Sequence, residues 1–335
     1  MSKVPISKVT QSWHYIRDKC AHKFWDPESP PDLTVEEDIT GQVVIVTGSN
    51  TGIGRETALQ LAKRKAKVIL ACRNLEKAAE ARDYIWSKFP KATLDIMHLD
   101  IGDLSSIRKF VSEFETKYAK LDILVNNAGV MFTDGKLHKT EDGFEVHMGT
   151  NHLGPFLLTR LLVPSLKKAG PGKVVCVSSS QLTLCRLDLD DLMMEKRVRT
   201  GSDGTEPYNV SKLADALCIR RLASSLKQND NIHVFQLCPG FVTTDVFRSD
   251  VGLFGFVRKI MLRVSGVTPA YGCETVVFCC VNKSLTATEH NMFYGAGEMY
   301  RFCARYEEGT SFLDPEDPKA IQLYKMSEEF VGLAE

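Results

Sequence analysis

Val43-Val44-Ile45-Val46-Thr47-Gly48-Ser49-Asn50-Thr51-Gly52-Ile53-Gly54 decides how this 335-residue chain folds. A short β-branched run ends in a glycine-rich turn, and Glu56, Ala58, Leu59, Leu61 and Ala62 continue with helical spacing. Buried strand, tight turn and helix in that order aim a helix N-terminus at a phosphate. The glycines divide the work: Gly48 lets the turn reverse, Gly52 admits a pyrophosphate to the backbone, and Gly54 lets helix pack on strand.

The pattern repeats outward from this stretch. Lys67-Val68-Ile69-Leu70-Ala71-Cys72-Arg73-Asn74 reads as a second strand, residues 75–88 as a helix and residues 93–99 as a third strand. A helix over 104–118 leads to the apolar fourth strand Leu121-Asp122-Ile123-Leu124-Val125, which runs into Asn126-Asn127-Ala128-Gly129. Residues 143–168 read as a long helix that Gly154 and Pro155 should kink near Asn151. The fifth strand, Gly172-Lys173-Val174-Val175-Cys176-Val177, ends in Ser178-Ser179-Ser180, and a sixth spans 231–237. Strand and helix in alternation predict the α/β class, with a doubly wound parallel sheet of the Rossmann type.

The turn spacing, G-x-x-x-G-x-G, differs from the commoner G-x-G-x-x-G. Thr-Gly-x-x-x-Gly-Ile-Gly over residues 47–54, with Asn126-Asn127-Ala128-Gly129, resembles the short-chain dehydrogenase/reductase family. So do Asn151, the Val177-Ser178-Ser179 strand end, Tyr208-x-x-x-Lys212 and the Pro239-Gly240 loop. Residues 71–74, 126–131, 142–145 and 151–159 are similar to its retinol-dehydrogenase-like branch. The resemblance implies a nicotinamide cofactor along Gly48, Ser49, Asn50, Thr51, Gly52, Ile53 and Gly54. It extends that site to Asp100 and Ile101 at the adenine and to Asn127, Ala128 and Gly129 near the nicotinamide. Pro239, Gly240, Val242, Thr243 and Thr244 would meet the carboxamide. Arg73 at the end of the second strand, where no acid stands, suits the 2′-phosphate of NADP(H) rather than the ribose hydroxyl of NAD(H).

Tyr208 and Lys212 are four residues apart and share a helical face. A phenol titrates near ~10, too high for a base at neutral pH unless a cation stabilises the phenolate. Tyr15/Lys19 and Tyr84/Lys88 repeat the spacing, but neither follows a serine-ended strand. The family implies a tetrad in which Tyr208 exchanges a proton, Ser179 fixes the substrate oxygen, Lys212 tunes the phenol, and Asn151 holds a relay water. The interval from Ser179 to Tyr208 is longer than in the shorter members, as in the retinol-dehydrogenase-like branch. The expected activity is interconversion of an alcohol and a carbonyl on a retinoid-, steroid- or lipid-like substrate. The alternative is an NADP(H)-binding scaffold or sensor with little turnover.

The rest of the chain bounds the partners. Net charge is zero and the pI is about 7.1, which gives no sign of a nucleic-acid partner. Ten scattered cysteines without a C-x-x-C pair suggest reduced thiols in an intracellular or cytosol-facing setting, and no metal site. His147 and His152 are five apart and read as structural histidines; Asp188, Asp190 and Asp191 read as part of a solvated insertion over 181–206. Residues 1–40 read as a basic amphipathic helix (Val9, Trp13, Ile16, Cys20) plus linker, fit for a membrane surface or for a second protein face. Residues 41–300 read as the Rossmann-type domain that the resemblance covers, and 301–335 as a docked or loose tail. An apolar, basic-edged stretch over 245–267 would cover a lipophilic substrate or form a homodimer contact.

Overall fold

The computed structural model describes residues 37–196, 205–226, 231–240, 242–243, 267–283, 285, 293–295, 314 and 316–334. The N-terminal amphipathic stripe, Thr244 and nearly all of the apolar stretch over 245–267 lie outside the described residues.

Seven parallel strands form one sheet in the order β3-β2-β1-β4-β5-β6-β7. They are β1 (Val43–Thr47), β2 (Lys67–Cys72), β3 (Thr93–His98), β4 (Ile123–Asn126), β5 (Gly172–Val177), β6 (Ile232–Cys238) and β7 (Phe293–Gly295). The doubly wound α/β fold is therefore present. Strand order reverses between β1 and β4, which pair with Val44 beside Ile123. At such a reversal the connecting helices leave to opposite faces and open a crevice at the C-terminal strand ends.

Alternation along β1 supplies both faces of the core. Ile45 packs with α3 (Leu104–Lys117), α4 (Gly154–Lys167) and α5 (Glu206–Ser225), while Val44 and Val46 pack with α1 (Gly52–Lys63) and α6 (Glu274–Val281). The helix α2 (Leu75–Lys88) flanks β2 and β3. Burial on both faces explains the continuous apolar runs in the central strands.

Three features refine the sequence reading. The long helix predicted over 143–168 starts near 146 and is irregular around Asn151 as expected, but as a π-helical turn, Met148–Leu153, that precedes Gly154 and Pro155 rather than as a kink at them. The insertion after β5 is not simply solvated: Leu182, Leu192 and Met194 are buried in the core, and Asp188 caps a short 3-10 turn. Finally, the acidic tail contains α7 (Pro318–Phe330), which docks on α4 and α5 through Ala320, Leu323 and Tyr324. Glu328 and the Tyr324 hydroxyl both bond Arg160, and Val331 accepts from Arg108.

Beneath this helix His152 is fully buried and its Nε2 lies 2.8 Å from Ser327 Oγ. Ser327 donates its own proton to Leu323, so His152 is the donor to it. Burial pushes the imidazole pKa down to about 3. Between that value and about 6.5 only the unfolded chain takes up the proton, so falling pH favours unfolding across this window. Asp215, pushed up to about 7 by burial against the opposing pull of Lys212, has the contrary effect. It is neutral in the fold while charged in the unfolded chain, and its contribution declines as pH rises between about 4 and 7. Comparison of the wild type with His152→Gln cancels the Asp215 part. The wild type's advantage in chemical denaturation should shrink by about 1.4 kcal/mol per pH unit below about 6.5. A difference that stays constant from pH 7 to 5 would contradict a neutral, buried His152.

Candidate active site

The crevice at the strand reversal is a cleft of about 650 Å³. Its floor is the glycine turn. Gly48 and Gly52 have φ of +63° and +57°, a region that glycine enters without cost. A Cβ on Gly54 would lie 2.5 Å from the Gly48 carbonyl oxygen and 2.4 Å from Asn127 Nδ2, so only hydrogen lets α1 seat there. The first turn of α1 carries no acid, and Asn50, Thr51, Gly52, Ile53 and Gly54 line the cleft. This is an anion-accepting cradle. Ser49 is turned inward instead, fully buried with its Oγ 3.4 Å from Cys72 Sγ.

The wall above the cradle is built from the end of β4. Thr47 Oγ1 accepts from the amides of Asn127 and Ala128, at 2.9 and 3.0 Å, and Asn127 Nδ2 donates to the Thr47 carbonyl at 2.8 Å. Asn126 reaches the other way, donating to Thr159 Oγ1 at 2.8 Å. The two asparagines thus tie β4 to β1 and to α4, and Ala128 and Gly129 are left facing the cleft. Asp100 and Ile101, at the end of β3, close its outer side. Arg73 is well exposed there, with Nη1 3.5 Å from Asp100 Oδ2.

At the far end stand Ser179, Tyr208 and Lys212. Ser179 follows β5 and caps a 3-10 turn, its Oγ accepting from the Gln181 amide at 3.3 Å. Lys212 is buried, donates to the Val177 carbonyl at 3.0 Å, and lies 5.9 Å from the centre of the Tyr208 ring. A Cβ on Gly129 would sit 3.8 Å from Lys212 Nζ, so the ammonium lies beside the cleft wall at Gly129. Among the described residues the Tyr208 hydroxyl has no hydrogen-bond partner, although the ring is edge-on to His147 at 6.3 Å.

Asn151 comes close to this group but spends its amide elsewhere. Both of its N–H donors go to the protein, one to the Val130 carbonyl at 2.9 Å and one to Ser211 Oγ at 3.1 Å, and Oδ1 accepts from the Val130 amide at 2.8 Å. Only oxygens of Asn151 are left to meet a relay water. Pro239, Gly240 and Val242 line the cleft after β6, whereas Thr243 donates its amide to Val267 and does not.

The sequence of the chain has relatives over most of its length. The family model described as short chain dehydrogenase matches residues 42–184. The chain is 38% identical to Homo sapiens retinol dehydrogenase 11 over 261 residues, 76% of this chain and 77% of that protein. It is 41% identical to Mus musculus retinol dehydrogenase 12 over 270 residues, 80% of this chain and 82% of that protein. The chain belongs to the short-chain dehydrogenase/reductase family. Within it the chain groups with the retinol-dehydrogenase-like members, and it is an oxidoreductase of CH–OH groups. Solved structures share the fold. A crystal structure of an uncharacterised protein from Mycobacterium paratuberculosis matches with a TM-score of 0.68 at 26% identity, over 91% of this chain and 99% of that one. A Shigella flexneri short-chain dehydrogenase complexed with NADP matches with a TM-score of 0.58 at 23% identity, over 78% and 99%.

For a dehydrogenase of this family, the cleft includes residues that sequence reasoning passed over. Lys77 and Asn74 stand at its mouth beside Arg73, and Asn74 caps α2 by accepting from the Lys77 amide at 2.8 Å. A cap at Asn74 places Lys77 one turn into α2, a spacing that the sequence does show. Ser211, lying between Tyr208 and Lys212, links Asn151 to the Tyr208 carbonyl, to which it donates at 2.7 Å. The repeat Tyr84/Lys88 sits on α2 with its hydroxyl donating to Glu56 at 3.1 Å, outside the cleft lining. No group of three His, Cys, Asp or Glu side chains among the described residues is placed to hold a metal ion, and no described helix is long and apolar enough to cross a membrane.

Proposed function

We propose that this chain is an NADP(H)-dependent oxidoreductase that interconverts an alcohol and a carbonyl on a lipophilic substrate. One observation carries the reading: a single cleft joins the glycine cradle and its two mouth cations, Arg73 and Lys77, to Ser179, Tyr208 and Lys212. The residues fit the cofactor. The amides at the start of α1 would hold the pyrophosphate, Asp100 and Ile101 would flank the adenine, and Asn127, Ala128, Gly129, Pro239, Gly240 and Val242 would enclose the nicotinamide. Arg73 and Lys77 suit a phosphate monoester on the ribose, which NAD lacks. When bound, the cofactor supplies or accepts the hydride. Tyr208 gives its phenolic proton to the carbonyl oxygen, Ser179 donates a hydrogen bond that orients that oxygen, and Lys212 stabilises the phenolate that remains. Asn151 holds the turn that places these groups. The retinol dehydrogenase relatives support a lipophilic substrate.

Arg73→Asp tests the cofactor preference. The variant loses a charge-assisted pair and sets a second carboxylate beside Asp100. NADPH affinity should fall about 10- to 100-fold, the equivalent of about 1.4–2.7 kcal/mol, while NADH affinity holds or rises. Fluorescence titration with both cofactors measures this, and an unchanged ratio would refute the role of Arg73. The activity itself is tested by supplying the purified full-length protein with NADPH and a panel of aldehydes including all-trans-retinal, with alcohol products resolved by chromatography. A panel without product would remove the enzymatic reading.

A further inference from the structure

His147 is a buried structural histidine, as the sequence predicts, and it stands directly behind the cleft wall formed by Val130, Met131 and Phe132. Its Nε2 accepts the amide proton of Phe132 at 2.9 Å. A ring nitrogen that accepts from an N–H carries no proton, so the ring proton sits on Nδ1, which lies 2.6 Å from Glu145 Oε1. The second Glu145 oxygen accepts from the amides of His147 and Met148, at 2.9 and 2.8 Å, capping the start of this helical segment. Both side chains are buried, 4% and 3% exposed, so the pair is shielded from water.

The placement has a geometric logic. His147 caps the π-helical turn Met148–Leu153 and Asn151 lies four residues further along it. They accept from the amides of Val130 and Phe132, two apart on the segment that follows β4. Two side chains thus hold residues 130–132 at alternate amides. Val130, Met131 and Phe132 all line the cleft, and the His147 ring makes T-shaped contacts with both Phe132 and Tyr208, with centroids 5.9 and 6.3 Å apart.

We infer that His147, oriented by Glu145, is a positioning residue that sets the Val130, Met131 and Phe132 wall against which the substrate's carbon skeleton lies beside Tyr208. The inference rests on the reading of this cleft as a carbonyl–alcohol site. Its function is substrate placement, so it bears on KM and leaves cofactor affinity alone.

Two polar substitutions separate the two hydrogen bonds of the ring. In His147→Gln the Oε1 atom falls where Nε2 was and still accepts from Phe132. In His147→Asn the side chain reaches Glu145 but stops short of Phe132. Hydrogen exchange on the full-length protein should show the peptide covering residues 130–133 exchanging about 5- to 10-fold faster in His147→Asn, while the core strand Ile123–Asn126 is unchanged. In His147→Gln the exchange should return to within about twofold of the wild type. With all-trans-retinal, KM should rise about tenfold in His147→Asn and recover in His147→Gln, with NADPH affinity within twofold in both. Equal acceleration of the loop and the core strand, or identical behaviour of the two variants, would overturn the inference. Exchange decides it even if retinal is not turned over, an outcome that would count against the proposed function alone.

Discussion

Tyr208→Phe should lower kcat/KM for carbonyl reduction by about a thousandfold while NADPH affinity stays within about twofold. The change deletes one oxygen atom. Among the described residues that oxygen has no hydrogen-bond partner, so its loss breaks nothing in the fold, and the ring contact with His147 remains. Lys212 keeps its bond to Val177. What disappears is the proton that must reach the carbonyl oxygen as the hydride arrives, for which a positioned acid is worth about 10²–10⁴. Thermal unfolding of the variant should match the wild type within about 0.5 kcal/mol, which separates chemistry from folding. Turnover within tenfold of the wild type would show that another group delivers the proton.

Gly154→Ala should be the most damaging glycine-to-alanine change among the described residues. A Cβ there would lie 1.9 Å from the Ile101 carbonyl oxygen, far inside van der Waals contact, and the obstacle is backbone. Relief requires α4 to move away from the segment after β3. That movement would drag the π-helical turn and Asn151 with it on one side, and displace Ile101 from the cleft on the other. The expected cost is about 3 kcal/mol or more, the upper end of overpacking, accompanied by weaker NADPH binding. Gly135→Ala provides the contrast. Its Cβ would meet nothing within 4 Å, and only its φ of +72° is unfavourable. A penalty of about 1–2 kcal/mol is expected there. Chemical denaturation of the two variants reads the difference, and equal penalties would contradict the close approach of α4 to Ile101.

How much of this the sequence disclosed follows from the range of the interactions involved. The glycine turn is written in a dozen consecutive residues, because φ sign and helix approach are local demands that only glycine meets. Strand and helix order were legible for a similar reason, since burial on both faces leaves continuous apolar runs. The tetrad residues were nominated by resemblance, and the sequence placed Tyr208 and Lys212 on one face. What it could not show was how Asn151 divides its hydrogen bonds, since its partners Val130 and Ser211 are 21 and 60 positions away. Glu145 and His147 were hidden likewise. Their value comes from Phe132, which is joined to them only once β4 and the helix after it are assembled. The tail was ambiguous because its acids and prolines masked a stripe of Ala320, Leu323 and Tyr324 that finds its partners on α4 and α5. Ser49 shows the limit of motif transfer: inside the cofactor turn, its side chain faces Cys72 and the core.

The central claim is that one cleft brings a bound nicotinamide and a substrate carbonyl together beside Tyr208. Transfer of the label from [4-²H]NADPH to product tests it most directly, with the full-length protein and all-trans-retinal analysed by mass spectrometry. The account expects retinol carrying one deuterium on the former carbonyl carbon from one face of the cofactor, and none when Tyr208→Phe replaces the wild type. Unlabelled retinol, or no retinol while NADPH binds tightly, would contradict it.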